Sequence, residues 1–143
     1  MSVVQSLGLG SLSPRGDTRE RFSLGGILVV DDNAQLRDLA RHALADSGHP
    51  ITTAASGDEA LALLKARSFA LVLSDYAMPE GDGLTLLAAV RPLHPELPFI
   101  LWSSALPEDV CRRAAALGAV VRGSKPVGDE LAALVDVTLP RHD

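Results

Sequence analysis

Residues 70–83 read Ala-Leu-Val-Leu-Ser-Asp-Tyr-Ala-Met-Pro-Glu-Gly-Asp-Gly. Ala70-Leu71-Val72-Leu73 is an unbroken apolar run of strand length, and it stops at Ser74-Asp75. An apolar run without alternation fits a strand covered on both faces, as in a parallel sheet. Pro79, Gly81 and Gly83 then break the chain. The segment is therefore a buried strand whose C-terminal end opens into a loop and presents an acid there.

The same pattern recurs on either side. Ile27-Leu28-Val29-Val30 runs into Asp31-Asp32, Phe99-Ile100-Leu101-Trp102 into Ser103-Ser104, and Ala119-Val120-Val121 leads toward Lys125-Pro126. Ile51 to Ala54 is a shorter and weaker fifth strand. Helical patterns lie between them. Leu36, Leu39, Ala40, Ala43 and Leu44 form one apolar stripe ending before Gly48. Ser56-Gly57-Asp58-Glu59 has the form of a capping box ahead of Ala60, Leu61 and Leu64. Asp82 suits the cap of a helix burying Leu84, Leu87 and Ala88 before Pro92. Pro107 suits a first helical turn before Val110, Ala114 and Leu117, with Gly118 as terminator, and Leu131, Leu134 and Val135 mark a last short helix. Five strand–helix alternations with short connections predict an α/β protein, a doubly wound five-stranded parallel sheet with helices on both faces. In such sheets ligands bind beyond the C-terminal strand edges.

Length and composition set the outer bounds. The 143 residues make one domain, and a 47% hydrophobic content is enough for a core. Thirteen basic against 18 acidic residues give a net charge of −5, which disfavours a nucleic-acid surface. A single cysteine, Cys111, excludes an internal disulfide framework, and His42, His49, His94 and His142 lack metal-ligand spacing. No apolar run has the length of a membrane span and no secretory signal opens the chain, so a cytoplasmic protein is expected. Residues 1–24, rich in glycine and serine and without a sustained period, read as a flexible N-terminal leader or linker. A short docking helix fits them as well. Residues 25–143 form the domain.

Three carboxylates at one sheet edge repel unless a cation neutralises them, and an all-oxygen set suits Mg²⁺ better than a soft metal. A hydroxyl and an ammonium beside them fit a bound anion with oxygen acceptors, such as a phosphoryl group. Taken singly, Asp32-Asn33 also fits a helix cap, Asp75 a turn, and Lys125 an exposed loop. Ser103 and Ser104 compete for one role, with Ser103, the first hydroxyl after the apolar run, preferred.

Asp31-Asp32, the stretch Leu73-Ser74-Asp75-Tyr76-Ala77-Met78-Pro79 with Gly83, Ser103, and Lys125-Pro126 together resemble the receiver domain of two-component response regulators. The likeness is to a stand-alone, chemotaxis-regulator-like receiver and runs from about Gly26 to Val137. It implies a (βα)5 flavodoxin-like fold with strand order 2-1-3-4-5. It implies Asp75 as phosphoacceptor, taking a phosphoryl group from a histidine kinase or histidine phosphotransfer protein. Mg²⁺ (or Mn²⁺) would be held by Asp32, Asp75 and the backbone carbonyl of Ala77, with Asp31 assisting through water. Lys125 would pair with a phosphoryl oxygen across a cis Lys125–Pro126 bond, and Ser103 would be the switch hydroxyl. The chain ends at Asp143, so the expected output is contact with a downstream protein target, with no nucleic acid, no membrane insertion and no enzymatic domain.

The sequence departs from the family at Arg122, where an aromatic is usual, at Ala77 and Ala105, which flank the phosphosite, and at Gly81. Arg122 is a possible element of the output face. The departures leave a phosphorylation-independent binding module on the same fold as the alternative function. An aspartyl-phosphate phosphatase is less consistent, because it needs an acid two residues beyond its nucleophile and Ala77 stands there. A flavin-binding electron carrier would need a Ser/Thr-rich phosphate loop in place of Asp31-Asp32-Asn33, and no P-loop motif is present.

Overall fold

In a computed structural model, which describes residues 25–78, 81–123 and 128–139, each apolar run becomes a strand. The order is β1 (Ile27–Val30), α1 (Ala34–Ala43), β2 (Ile51–Ala54), α2 (Gly57–Ala66), β3 (Leu71–Asp75), α3 (Gly83–Val90), β4 (Phe99–Trp102), α4 (Glu108–Ala116), β5 (Val120–Arg122) and α5 (Asp129–Thr138). The strands pair in parallel in the order β2-β1-β3-β4-β5. This is the doubly wound sheet expected from the sequence.

Successive residues of a strand face opposite sides of the sheet, so each central strand feeds two cores. Leu28, Val30, Val72, Phe99 and Leu101 pack with residues of α2, α3 and α4, among them Leu64, Leu87 and Val110. Ile27, Val29, Leu71, Leu73, Ile100 and Trp102 pack instead with Ala40 and Leu44 at α1 and with Leu131, Leu134 and Val135 of α5. All residues of β1, β3 and β4 are buried, which is why these runs contain no alternation.

Local chemistry starts the helices where the strands stop. The Asn33 side chain accepts from the N–H groups of Gln35 and Leu36 at 2.8 and 3.2 Å, capping α1. Ser56 accepts from Glu59 N–H at 3.1 Å while the Glu59 carboxylate reaches back to Ala55 N–H at 2.7 Å. Asp82 caps α3 through Thr85 N–H at 2.7 Å. At the opposite end of the domain the Arg91 guanidinium donates to Leu117 O, to His94 O at 3.1 Å and to Leu97 O at 2.8 Å, tying the end of α3 to the end of α4. Burial lowers its pKa below the ordinary arginine value.

Three sequence expectations about burial are corrected. Leu39, placed in the α1 stripe, is 50% exposed, because Ala40 and Leu44 face the sheet and Leu39 lies about 100° around the helix from Ala40. Ala88 is exposed on α3, where Leu86 and Val90 are buried in addition to Leu84 and Leu87. β5 is not covered on both faces: Val120 and Arg122 are exposed, as befits an edge strand paired on one side only. Among the described residues no helix is long and apolar enough to cross a membrane.

Candidate functional site

The C-terminal edge of the sheet gathers the polar residues. β1 stays in register for one residue beyond its apolar run, with Asp31 N–H donating to Ala54 O at 3.1 Å. Since Val30 is in register with Ser74, Asp31 stands beside Asp75. Carboxylate oxygens of Asp31, Asp32 and Asp75 come within 4.8 Å of one another. Asp31 and Asp75 are buried, at 1% and 4% exposure, whereas Asp32 is exposed. The cluster is thus a half-open bowl with two acids in its floor and one on its rim.

Neighbouring groups hold that bowl in place. An Asp31 carboxylate oxygen accepts from Asn33 N–H at 2.9 Å, so the acid is fixed by the same turn that caps α1. Arg37 donates to the Asp31 backbone carbonyl at 2.6 Å, which ties α1 to the end of β1. The cap belongs to Asn33; Asp32 carries no part of it.

Behind Asp75 the packing is tight. Ser74 Oγ donates to Asp75 O at 3.0 Å, and Gly83 N–H donates to Tyr76 O at 2.8 Å, drawing the start of α3 against the end of β3. A Cβ on Gly83 would overlap the Asp75 carbonyl oxygen and Leu101 Cδ1, so the absent side chain is a requirement of this approach. In the sequence Gly83 enters as a chain break and as part of the receiver-like stretch, and this close approach is not visible there.

On the neighbouring strand, Ser103 is buried at 5% exposure and its N–H donates to Arg122 O at 3.2 Å. Ser104 is exposed. Ala77 is exposed on the loop after the acid and adds no polar group of its own, and Ala105 is likewise exposed. Gly81 has a φ of +131°, a conformation that glycine adopts readily, and stands in open space. Lys125, and the cis Lys125–Pro126 bond expected beside it, lie outside the described residues, as do residues 1–24.

Three carboxylates within reach of one cation, all hard oxygen donors, fit a divalent ion of the Mg²⁺ class. A buried acid on a strand end, beside a metal-competent bowl and a buried hydroxyl, is also an arrangement that can receive an anionic group.

Comparison with known proteins points the same way. The profile of the response regulator receiver domain matches residues 27–139. The DNA-binding transcriptional regulator NtrC of Salmonella typhimurium is 38% identical over 119 residues, covering 82% of this chain and 25% of that protein. The chain thus spans about a quarter of the length of that relative. Among solved structures, chemotaxis protein CheY4 of Vibrio cholerae superposes with a TM-score of 0.73 at 28% identity, over 81% of this chain and 99% of that one. The response regulator TrrA of Thermotoga maritima, solved in complex with Mg²⁺-BeF, gives a TM-score of 0.68 at 30% identity, over 79% of this chain and 97% of that one. The sheet order, the extent of the profile match and these likenesses agree, and this chain belongs to the response regulator receiver domain family.

Proposed function

We propose that this chain, through a domain spanning residues 25–143 that follows a leader or linker segment at residues 1–24, is a phosphoacceptor whose acceptor group is Asp75. The observation that carries the reading is the convergence of the Asp31, Asp32 and Asp75 carboxylates within 4.8 Å at the C-terminal sheet edge. A carboxylate is ionised at neutral pH and needs no general base to act as a nucleophile. An oxygen of Asp75 forms the new P–O bond as the P–N bond of a phosphohistidine breaks. The bonding pair stays on the departing imidazole, which leaves neutral when its other nitrogen carries a proton. The donor is a histidine kinase or a histidine phosphotransfer protein, in keeping with the family.

The residues present fit Mg²⁺ (or Mn²⁺), which Asp32, Asp75 and the backbone carbonyl of Ala77 would hold, with Asp31 assisting through water. When bound there, such an ion neutralises oxygens of the transferring group and orients it. Asp31 keeps the negative charge of the floor fixed through its bond from Asn33. Ser103 offers a hydroxyl to an added phosphoryl oxygen, and its burial on the strand next to Asp75 supports it over Ser104. Lys125 is assigned the remaining phosphoryl oxygen on its sequence position alone. The protein is a cytoplasmic signalling acceptor that catalyses only its own phosphotransfer and dephosphorylation, and its output is a protein–protein contact. Nothing in its charge favours nucleic acid.

Intact mass after incubation with a small acyl phosphate tests this. One phosphoryl adduct that requires Mg²⁺ and is lost in Asp75→Asn is the expected result. No adduct under rapid quenching would overturn it in favour of a phosphorylation-independent binding module.

A further inference from the structure

Residues in register on neighbouring parallel strands send their side chains to the same face, about 4.8 Å apart. Asp75 is in register with Trp102, and Trp102 with Arg122. Phe99 and Leu101 pack toward α2–α4, whereas Ile100 and Trp102 pack toward α1 and α5. Asp31, Asp75, Trp102 and Arg122 therefore form one row across the top of the sheet on the α1–α5 face, and the indole is the lateral neighbour of the acceptor acid.

Trp102 is tied to both sides of that row. Its carbonyl accepts from Tyr76 N–H, the residue after Asp75, at 2.9 Å, and the next N–H, of Ser103, donates to Arg122 O at 3.2 Å. The side chain is 4% exposed and shares a core with Leu131, Leu134 and Val135 of α5. Its Nε1–H is buried and has no hydrogen-bond partner among the described residues. A buried donor left in this state is uncommon, because its lost hydration is not replaced. On β5, meanwhile, Arg122 is exposed and offers no aromatic ring to the space near Ser103.

We propose that Trp102 carries the change at Asp75 to the α1–α5 face, a regulatory role that rests on the phosphoacceptor reading. A phosphoryl group on Asp75 places charge and acceptor oxygens beside a buried donor that has no partner among the described residues. The indole turns toward them, and its packing against Leu131, Leu134 and Val135 changes with it. The surface that reports phosphorylation is then α5, while the β5 edge around Arg122 keeps its conformation.

The chain contains one tryptophan, so emission excited beyond the tyrosine band comes from Trp102 alone. Titration with an acyl phosphate and Mg²⁺, or with beryllofluoride and Mg²⁺, is followed by emission and, in parallel, by intact mass for the acyl phosphate. Hydrogen exchange of the amides of residues 131–138 is measured on the same samples. The proposal expects a saturable emission change that tracks the mass adduct, with altered exchange in α5. In Trp102→Phe the adduct persists and the α5 response is lost or reduced; Trp102→Leu serves as a second variant should the ring alone sustain the packing. An adduct without an emission change, or an α5 response equal to wild type in both variants, overturns this inference and leaves the phosphoacceptor reading intact. Absence of any adduct overturns the phosphoacceptor reading and this inference with it.

Discussion

Gly83→Ala tests how tightly the candidate site is braced from behind. An alanine Cβ there would stand 2.5 Å from Leu101 Cδ1 and 3.0 Å from Ser74 Oγ, and closer still to the carbonyl oxygen of Asp75. The leucine methyl can rotate away. The carbonyl cannot, because the following Tyr76 N–H is bonded to Trp102 O at 2.9 Å and β3 is paired on both sides. Relief must come from moving the first turn of α3, which breaks the 2.8 Å bond from Gly83 N–H to Tyr76 O and loosens Leu84 and Leu87. Overpacking costs about 1–3 kcal/mol and a lost hydrogen bond about 1 kcal/mol, offset by up to ~1 kcal/mol of helix propensity. The net is a loss of about 1–4 kcal/mol, or on the order of 5–15 °C in Tm for a domain of this size. Thermal and urea melts followed by circular dichroism read it directly. Gly57→Ala is the control: its nearest neighbour is Leu86 Cβ at 3.9 Å, and the substitution should stabilise by about 0.5–1 kcal/mol. A Gly83→Ala protein that melts within about 2 °C of wild type would refute the reasoning.

Other substitutions probe separate parts of the domain. Arg91→Ala removes one guanidinium from three carbonyls and should cost about 2–4 kcal/mol in urea unfolding; Arg91→Lys should recover little of it, since an ammonium lacks the planar fork. Asn33→Ala should cost about 1 kcal/mol by loss of the α1 cap, measured in the same way. Mg²⁺ at 100 times its dissociation constant should raise the unfolding free energy by about 2.7 kcal/mol, and chelation should reverse this. Asp32→Asn should abolish most of that gain while stabilising the metal-free protein by about 1 kcal/mol, because one of three clustered charges is gone; an unchanged Mg²⁺ response would count against the cluster as the binding site.

Most of the architecture could be read before any coordinates. Ile27–Val30 and Phe99–Trp102 coincide with the strands found, because a strand buried on both faces contains little except apolar residues. Ile51–Ala54 coincides as well, although it is a partly buried edge strand with two threonines. β3 and β5 were each shifted, to Leu71–Asp75 and Val120–Arg122, since pairing continues through Ser74, Asp75 and Arg122 where hydropathy has already stopped. Leu39 and Ala88 differ from the sequence expectation for another reason. A helical stripe locates a helix, but which flank reaches the sheet depends on how the helix is rotated against it, and that is set by the tertiary neighbours. At the site, the three acids could be recognised as a group because they follow directly on the apolar runs of two strands, Asp31 and Asp32 after β1 and Asp75 at the end of β3. That Asp31 lies in the floor and Asp32 on the rim depends on the alternation past the strand end and on the Asn33 turn.

Trp102 shows why the remainder was hidden. In the sequence it is the last apolar residue of a strand, indistinguishable in role from Leu101 beside it. Its significance comes from register, which sets it beside Asp75, and from alternation, which turns it toward α5 while Leu101 faces α3. The same two facts bear on Arg122. A guanidinium is costly to bury without a partner, and at the exposed edge strand no such cost arises. The aromatic mass absent from β5 stands one strand inward, in the row that contains Asp75. A receiver built this way has the means to couple its acidic bowl to the α1–α5 core through packing, with no ring at the β5 edge.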